Sequence, residues 1–137
     1  MGTEARFRPS SEYPAAGSYD SVRTVEMGLP IESLEDLRDW GLTFTEIGQL
    51  VIPPRTLKHR KARGERLSTD ETERFLRVIR VLELGERVFG KREKLLSWLR
   101  GPDFEIQDRT SMSLLDTEAG AQAVTGQLWA VAEGLYQ

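Results

Sequence analysis

Phe75, Ile79, Leu82 and Phe89 recur at intervals of four, three and seven, and Leu76, Val78, Val81 and Val88 widen the stripe they draw. A band that broad, opened by the Ser68-x-x-Glu71 capping box and closed by Gly90, predicts the longest helix of the chain, from Ser68 to about Phe89. It is wide enough to touch more than one neighbour. Glu73 with Arg77 and Glu83 with Arg87 stand four apart on its polar side, where ion pairs support a helix. Upstream, Leu34, Leu37 and Trp40 recur at spacing three behind Pro30, predicting an acidic helix from Leu29 to Trp40 that ends at Gly41. Thr43 and Glu46 form another capping box, with Phe44, Ile47 and Leu50 at helical spacing, so a short helix spans about Thr43 to Leu50.

Downstream, Leu95, Leu96, Trp98 and Leu99 predict a helix from Lys91 to Leu99, stopped by Gly101-Pro102. Asp103 to Arg109 reads as loop and Ser111 to Leu115 as one helical turn. Val124, Leu128, Val131 and Leu135 give a final helix that Asp116 or Thr117 can cap. No stretch alternates as a strand, so the fold class is all-α. Residues 1–24, rich in Gly, Pro and Ser, have little periodicity and are expected to form a poorly ordered arm. The organisation that follows is an arm (1–24), a helix-turn-helix part (25–67), a connecting helix (68–89) and a C-terminal helical domain (90–137).

Charge changes this picture most between Arg55 and Arg63, where Arg55, Lys58, Arg60, Lys61, Arg63 and the only histidine, His59, crowd into nine positions of a chain whose formal net charge is −3. Leu57 is the one large apolar residue there left to face a core. Pro54 suits a first helical turn, Gly64 a C-terminal cap, and Val51 to Pro53 a tight link from the preceding helix. Gly48 is small enough for the next helix to cross closely. Helix, short turn, basic helix reads as helix-turn-helix, with Arg55, Thr56, Lys58, His59, Arg60, Lys61 and Arg63 as the DNA-binding candidates. The turn lacks the glycine common in that motif. From Asp103 to Gln137 the balance reverses, since Arg109 is the only cation against Asp103, Glu105, Asp108, Asp116, Glu118 and Glu133. One end suits phosphates and the other repels them.

Zero cysteines exclude disulfides and thiolate chemistry, and one histidine argues against a zinc site, so no metal and no cofactor is expected. No apolar run approaches a membrane span and the N-terminus lacks signal-peptide character, which points to the cytoplasm. There is no phosphate loop and no nucleophile motif. Asp103 and Glu105, two apart on a loop, are expected to be solvated. These absences argue against an enzyme.

Two passages carry a resemblance. Pro54-Arg55-Thr56-Leu57 through Lys61-Ala62-Arg63-Gly64-Glu65 and Leu67-Ser68 resembles the DNA-binding half of the Xre/MbcA/ParS antitoxins. Val88-Phe89-Gly90, Trp98-Leu99 with Pro102, and Leu114-Leu115-Asp116-Thr117-Glu118-Ala119-Gly120 with Val124 resemble that family's C-terminal toxin-binding domain. Family members usually have a proline where this chain has Ser111-Met112. The resemblance implies an antitoxin that covers the active site of a RES-domain toxin, which consumes NAD either by degrading it or by using it to modify a protein target, and that binds its own operator DNA. It further implies toxin contacts at Trp98, Asp116, Glu118, Gly134, Leu135, Tyr136 and Gln137, the last four at the mouth of the NAD pocket. An excess of apolar surface on the long helix would favour a homodimer. The competing reading is a stand-alone helix-turn-helix regulator whose C-terminal half only dimerises, with Trp98 and Trp129 as core or dimer anchors.

Overall fold

The computed structural model describes residues 13–103, 105, 106 and 108–134. Within them the chain is helical: α1 (Tyr19–Met27), a 3-10 turn (Ile31–Ser33), α2 (Leu34–Trp40), α3 (Phe44–Leu50), α4 (Pro54–Arg63), α5 (Thr69–Phe89), α6 (Arg92–Arg100), a second 3-10 turn (Ser113–Asp116) and α7 (Glu118–Ala132). Among the described residues the only extended pairing is an isolated antiparallel bridge between Pro102 and Thr110. No helix among the described residues is long and apolar enough to cross a membrane.

The broad stripe of α5 does what its width predicted. Phe75, Leu76, Val78, Ile79, Val81 and Leu82 are buried, and one continuous core runs from Leu37 and Leu50 through α5 to Leu95, Leu99, Leu115, Val124 and Leu128. The N- and C-terminal helices therefore share packing across α5. Phe89, at the C-terminal end of the stripe, is only partly buried and rests on Trp98 with ring centroids 5.6 Å apart. Gly85 makes the α5–α6 contact possible, because a Cβ there would meet Leu95 Cδ1 at 2.2 Å. Both capping boxes form, Thr43 with Glu46 and Ser68 with Glu71.

Three expectations are corrected. The expected disorder of residues 1–24 does not extend to its described part. Ser18 caps α1 by accepting from the Ser21 N–H, the Tyr13 ring meets Phe75 edge-on at 5.2 Å, and Arg80 Nη2 donates to the Pro14 carbonyl at 3.1 Å and to Ser21 Oγ at 3.0 Å. These are long-range contacts that local composition does not reveal; residues 1–12 lie outside the described residues. The helix expected from Leu29 starts later. Pro30 is extended at φ −65°, ψ 150°, and the Leu29 backbone is engaged elsewhere, its N–H with Thr72 Oγ1 (3.1 Å) and its carbonyl with the Leu67 N–H (2.9 Å). Finally, Arg77 turns from Glu73 toward the second 3-10 turn, donating to the Leu115 and Asp116 carbonyls at 3.1 Å each. A carbonyl pair at a turn offers two aligned acceptors that a solvated carboxylate does not improve on.

Candidate functional site

α4 takes its direction from its two ends. Pro54 occupies its first turn and packs on the space left by Gly48, where a Cβ would sit 3.3 Å from Pro54 Cδ. At the other end Gly64 adopts the left-handed conformation (φ 65°), which a glycine reaches without a side-chain clash. The linking turn needs no glycine because Val51 and Ile52 are driven into the core, each about as buried as any residue of the chain. Ile47 holds this turn by accepting from the Val51 N–H at 2.9 Å and the Ile52 N–H at 3.2 Å.

The helix so placed turns one cationic face outward. Arg55, Lys58, His59 and Ala62 line a shallow open depression together with Pro54, and all four are exposed. Arg63 is exposed at the C-terminal end, where a cation also complements the helix dipole. Of the other candidates, Thr56 is half-buried and Lys61 borders a different groove, shared with Ile31, Glu32 and Glu35 of the acidic N-terminal segment. Arg60 points inward. Its Nε and Nη2 donate to Glu71 Oε1 and Oε2 at 3.0 and 3.1 Å, and its Nη1 to Glu65 Oε1 at 3.0 Å. Burial raises the Glu71 pKa, but hydrogen bonds from Arg60 and Ser68 outweigh that and hold it below the usual carboxylate range. Phe44, expected at an apolar position of α3, is 71% exposed and lies under the Arg38 guanidinium, 3.8 Å from its ring centroid.

A second surface is built by the 3-10 turn and α7. Thr117 caps α7 by accepting from the Gly120 N–H at 3.0 Å. Gly120 itself sits so close to the turn that a Cβ would meet the Leu114 carbonyl oxygen at 1.8 Å. Asp116 is exposed and 3.4 Å from Arg109 Nη2, and Glu118 is exposed and accepts from Gln122 Nε2 at 3.3 Å. Trp98 is half-buried against Phe89, away from an exposed position. Gly134 follows α7 with φ 78°, while Leu135, Tyr136 and Gln137 lie outside the described residues. The acidic loop is not uniformly solvated. Asp103 is buried; burial pushes its pKa up, and hydrogen bonds from Gln127 Nε2 (3.1 Å) and from the Ile106 and Glu105 N–H groups (2.9 Å each) bring it below the usual value.

Residue-by-residue inspection of the sequence missed the outward face of α7. Ala119, Gln122, Ala123, Gly126, Trp129 and Ala132 are all exposed, with Trp129 at 53%, and no charged side chain stands between Glu118 and Glu133. A solvated helix face normally carries charge. The absence of charge over this stretch, legible in the sequence, was the available signal. Gly126 faces open space, with nothing within 4 Å of a Cβ placed there, so the chain's own packing does not require it.

A basic helix held by a short buried turn, joined through α5 to an acidic helical module with an uncovered apolar face, defines a helix-turn-helix protein with a second binding module. The comparisons with known proteins agree. Residues 20–80 match the antitoxin Xre-like helix-turn-helix domain, and residues 84–134 match the antitoxin Xre/MbcA/ParS C-terminal toxin-binding domain. The chain is 35% identical over 102 residues to Antitoxin Xre of Pseudomonas putida, a match covering 69% of this chain and 64% of that protein's length. It is 28% identical over 126 residues to Antitoxin Xre of Yersinia enterocolitica, covering 90% of this chain and 85% of the relative. Antitoxin Xre of Photorhabdus laumondii is 27% identical over 128 residues with the same two coverages, 90% and 85%. The chain belongs to the Xre-type antitoxins, a family of non-enzymatic regulators.

Proposed function

We propose that this chain neutralises a RES-domain, NAD-consuming toxin encoded beside it and represses their shared operon by binding operator DNA through α4. The observation that carries the toxin half of this reading is the charge-free outward face of α7, centred on Trp129 and Gly126 and lying within the toxin-binding match. A glycine inside a helix costs roughly 0.5–1 kcal/mol relative to alanine, and here nothing in the chain's own fold offsets that. Close approach by a partner would. The acidic flanks, Asp116 and Glu118 at one end and Glu133 at the other, disfavour covering this face with a second copy, because either orientation of paired α7 helices sets carboxylates against carboxylates. They suit a partner rimmed with cations, as a site for NAD phosphates is. In this reading residues Gly134 to Gln137 continue from α7 into the mouth of the NAD pocket, with the Tyr136 ring offering a flat surface that has few rotamers to freeze.

Operator binding falls to the exposed cations. Arg55, Lys58 and Arg63 supply phosphate contacts and His59 stands among them; the chain binds as a homodimer assembled through surface other than α7, in the cytoplasm.

The test is co-expression of a tagged chain with the product of the adjacent reading frame. The wild type should retain that protein on purification, whereas Gly126→Arg should fold normally, bind operator DNA and lose it. Replacing Arg55 and Lys58 with glutamate should do the reverse. Retention of the toxin by Gly126→Arg would remove α7 from the interface. Conversion of a dimer to a monomer by the same substitution would favour the stand-alone regulator, with Trp129 as its dimer anchor.

A further inference from the structure

α4 buries none of its residues, and Leu57 is its apolar contact with the core. A helix packed that lightly has little to fix its rotation about its own axis, yet rotation decides which side chains meet a DNA backbone. Successive helical residues turn by about 100°, so Arg60 stands roughly 200° from both Lys58 and Ala62, on the side opposite the open cationic face. There its guanidinium is bound on one edge by both oxygens of Glu71 and by Glu65 through Nη1. Glu71 is 6% exposed and is already fixed in place, since its Oε1 also accepts from the Ser68 N–H at 2.8 Å.

We propose that Arg60 is a positioning residue for DNA binding that acts through Glu71 and makes no phosphate contact of its own. The inference rests on the DNA-binding reading of α4 and deepens it. Two carboxylates against one guanidinium leave that corner net negative, which repels a phosphate. The bidentate pair instead ties the roll of α4 to the N-terminus of α5, so the face holding Arg55, Lys58 and His59 is presented before DNA arrives. An acidic residue, Glu71, thereby contributes to affinity for a polyanion.

This has a signature that direct contact does not share. Losing the pair lowers the fraction of molecules with α4 in the competent roll, and apparent affinity falls in proportion to that fraction. The complex, once formed, keeps the same phosphate contacts and hence the same salt dependence. Losing a phosphate ligand instead reduces the slope of log K against log salt by about 0.9 for each contact.

Binding of the full chain to a labelled duplex carrying the promoter region of its own gene, titrated across a salt series, distinguishes the two. Arg60→Gln and Glu71→Gln should each weaken binding on the order of tenfold with the wild-type slope, and the double variant should be no weaker than the worse single one. Glutamine serves as well as glutamate at the third position of a capping box, so Glu71→Gln keeps the cap of α5 and decides the matter if Arg60→Gln does not fold. Lys58→Gln is the contrast, with a slope shallower by about 0.9 per bound subunit. A shallower slope for Arg60→Gln, unchanged or tighter binding by Glu71→Gln, or losses that multiply in the double variant would each overturn the proposal. Failure of the wild type to bind any duplex would instead overturn the DNA-binding reading beneath it.

Discussion

Two glycines of α7 should respond to alanine with opposite signs. In a helix interior glycine to alanine gains roughly 0.5–1 kcal/mol by restricting the unfolded chain. Gly126 should show that gain in full, because a Cβ there has nothing within 4 Å. At Gly120 the same Cβ falls 1.8 Å from the Leu114 carbonyl oxygen and 2.7 Å from its carbon, so backbone must move. The moving segment is the 3-10 turn whose Leu114 and Leu115 side chains are in the core and whose Leu114 carbonyl accepts from the Thr117 N–H at 3.5 Å. Overpacking of this kind costs about 1–3 kcal/mol, and contact with backbone places it at the top of that range. After the propensity gain, Gly120→Ala should be less stable by roughly 2 kcal/mol. For a chain of this size each kcal/mol shifts Tm by roughly 3 to 5 °C, giving a fall of roughly 6 to 10 °C for Gly120→Ala and a rise of a few degrees for Gly126→Ala. Far-UV circular dichroism melts at one protein concentration measure both. Gly120→Ala melting at or above the wild type would refute the packing assigned to the turn.

Phe75, fully buried under Tyr13, should cost about 3–5 kcal/mol on replacement by alanine, seen as a large drop in the urea midpoint; a midpoint close to wild type would place that ring outside the core. Burial raises the Glu83 pKa to about 7, with Arg87 and Arg80 opposing. Since the folded value exceeds the unfolded one, the folded state holds the proton more tightly, and stability is lost as pH rises from the ordinary carboxylate value through about 7. Glu83→Gln should therefore raise Tm over wild type more at about pH 8 than at about pH 5, and an equal difference at both would mean that Glu83 is not so perturbed. Deleting residues 134–137 should leave folding, DNA binding and most toxin affinity intact while restoring NAD turnover by the bound toxin; continued inhibition would assign blockade to the body of the domain.

The helices of this fold were legible where their signals were local. Capping boxes at Thr43 and Ser68, Pro54 at the start of α4 and Gly64 at its end all form as their spacing implied, and the stripe of α5 marks the centre of the core. What local pattern did not carry was anything decided by a distant partner. α1 is anchored by Arg80, some sixty residues away in sequence, and Leu29 is drawn out of α2 by Leu67 and Thr72. Helical spacing in the cationic run puts Arg55 and Lys58 on one side with Lys61 or Ala62, but Arg60 still ranks there as a DNA-binding candidate, because its partners Glu65 and Glu71 lie beyond the run. Trp129, expected as a core or dimer anchor, lies outside the core for a related reason. α7 carries no charge between Glu118 and Glu133 on any side, and periodicity alone does not separate a face packed on α5 from one left open.

The central claim is that the open face of α7 and the residues after it silence a NAD-consuming partner. Its most direct test is NAD turnover by the purified product of the adjacent reading frame, titrated with the full chain and separately with the Gly126→Arg variant. Turnover should fall toward zero as the full chain approaches a fixed stoichiometric ratio, with the variant leaving it unchanged at the same ratio. Turnover unaffected by the full chain, or suppressed equally by both proteins, would contradict the account.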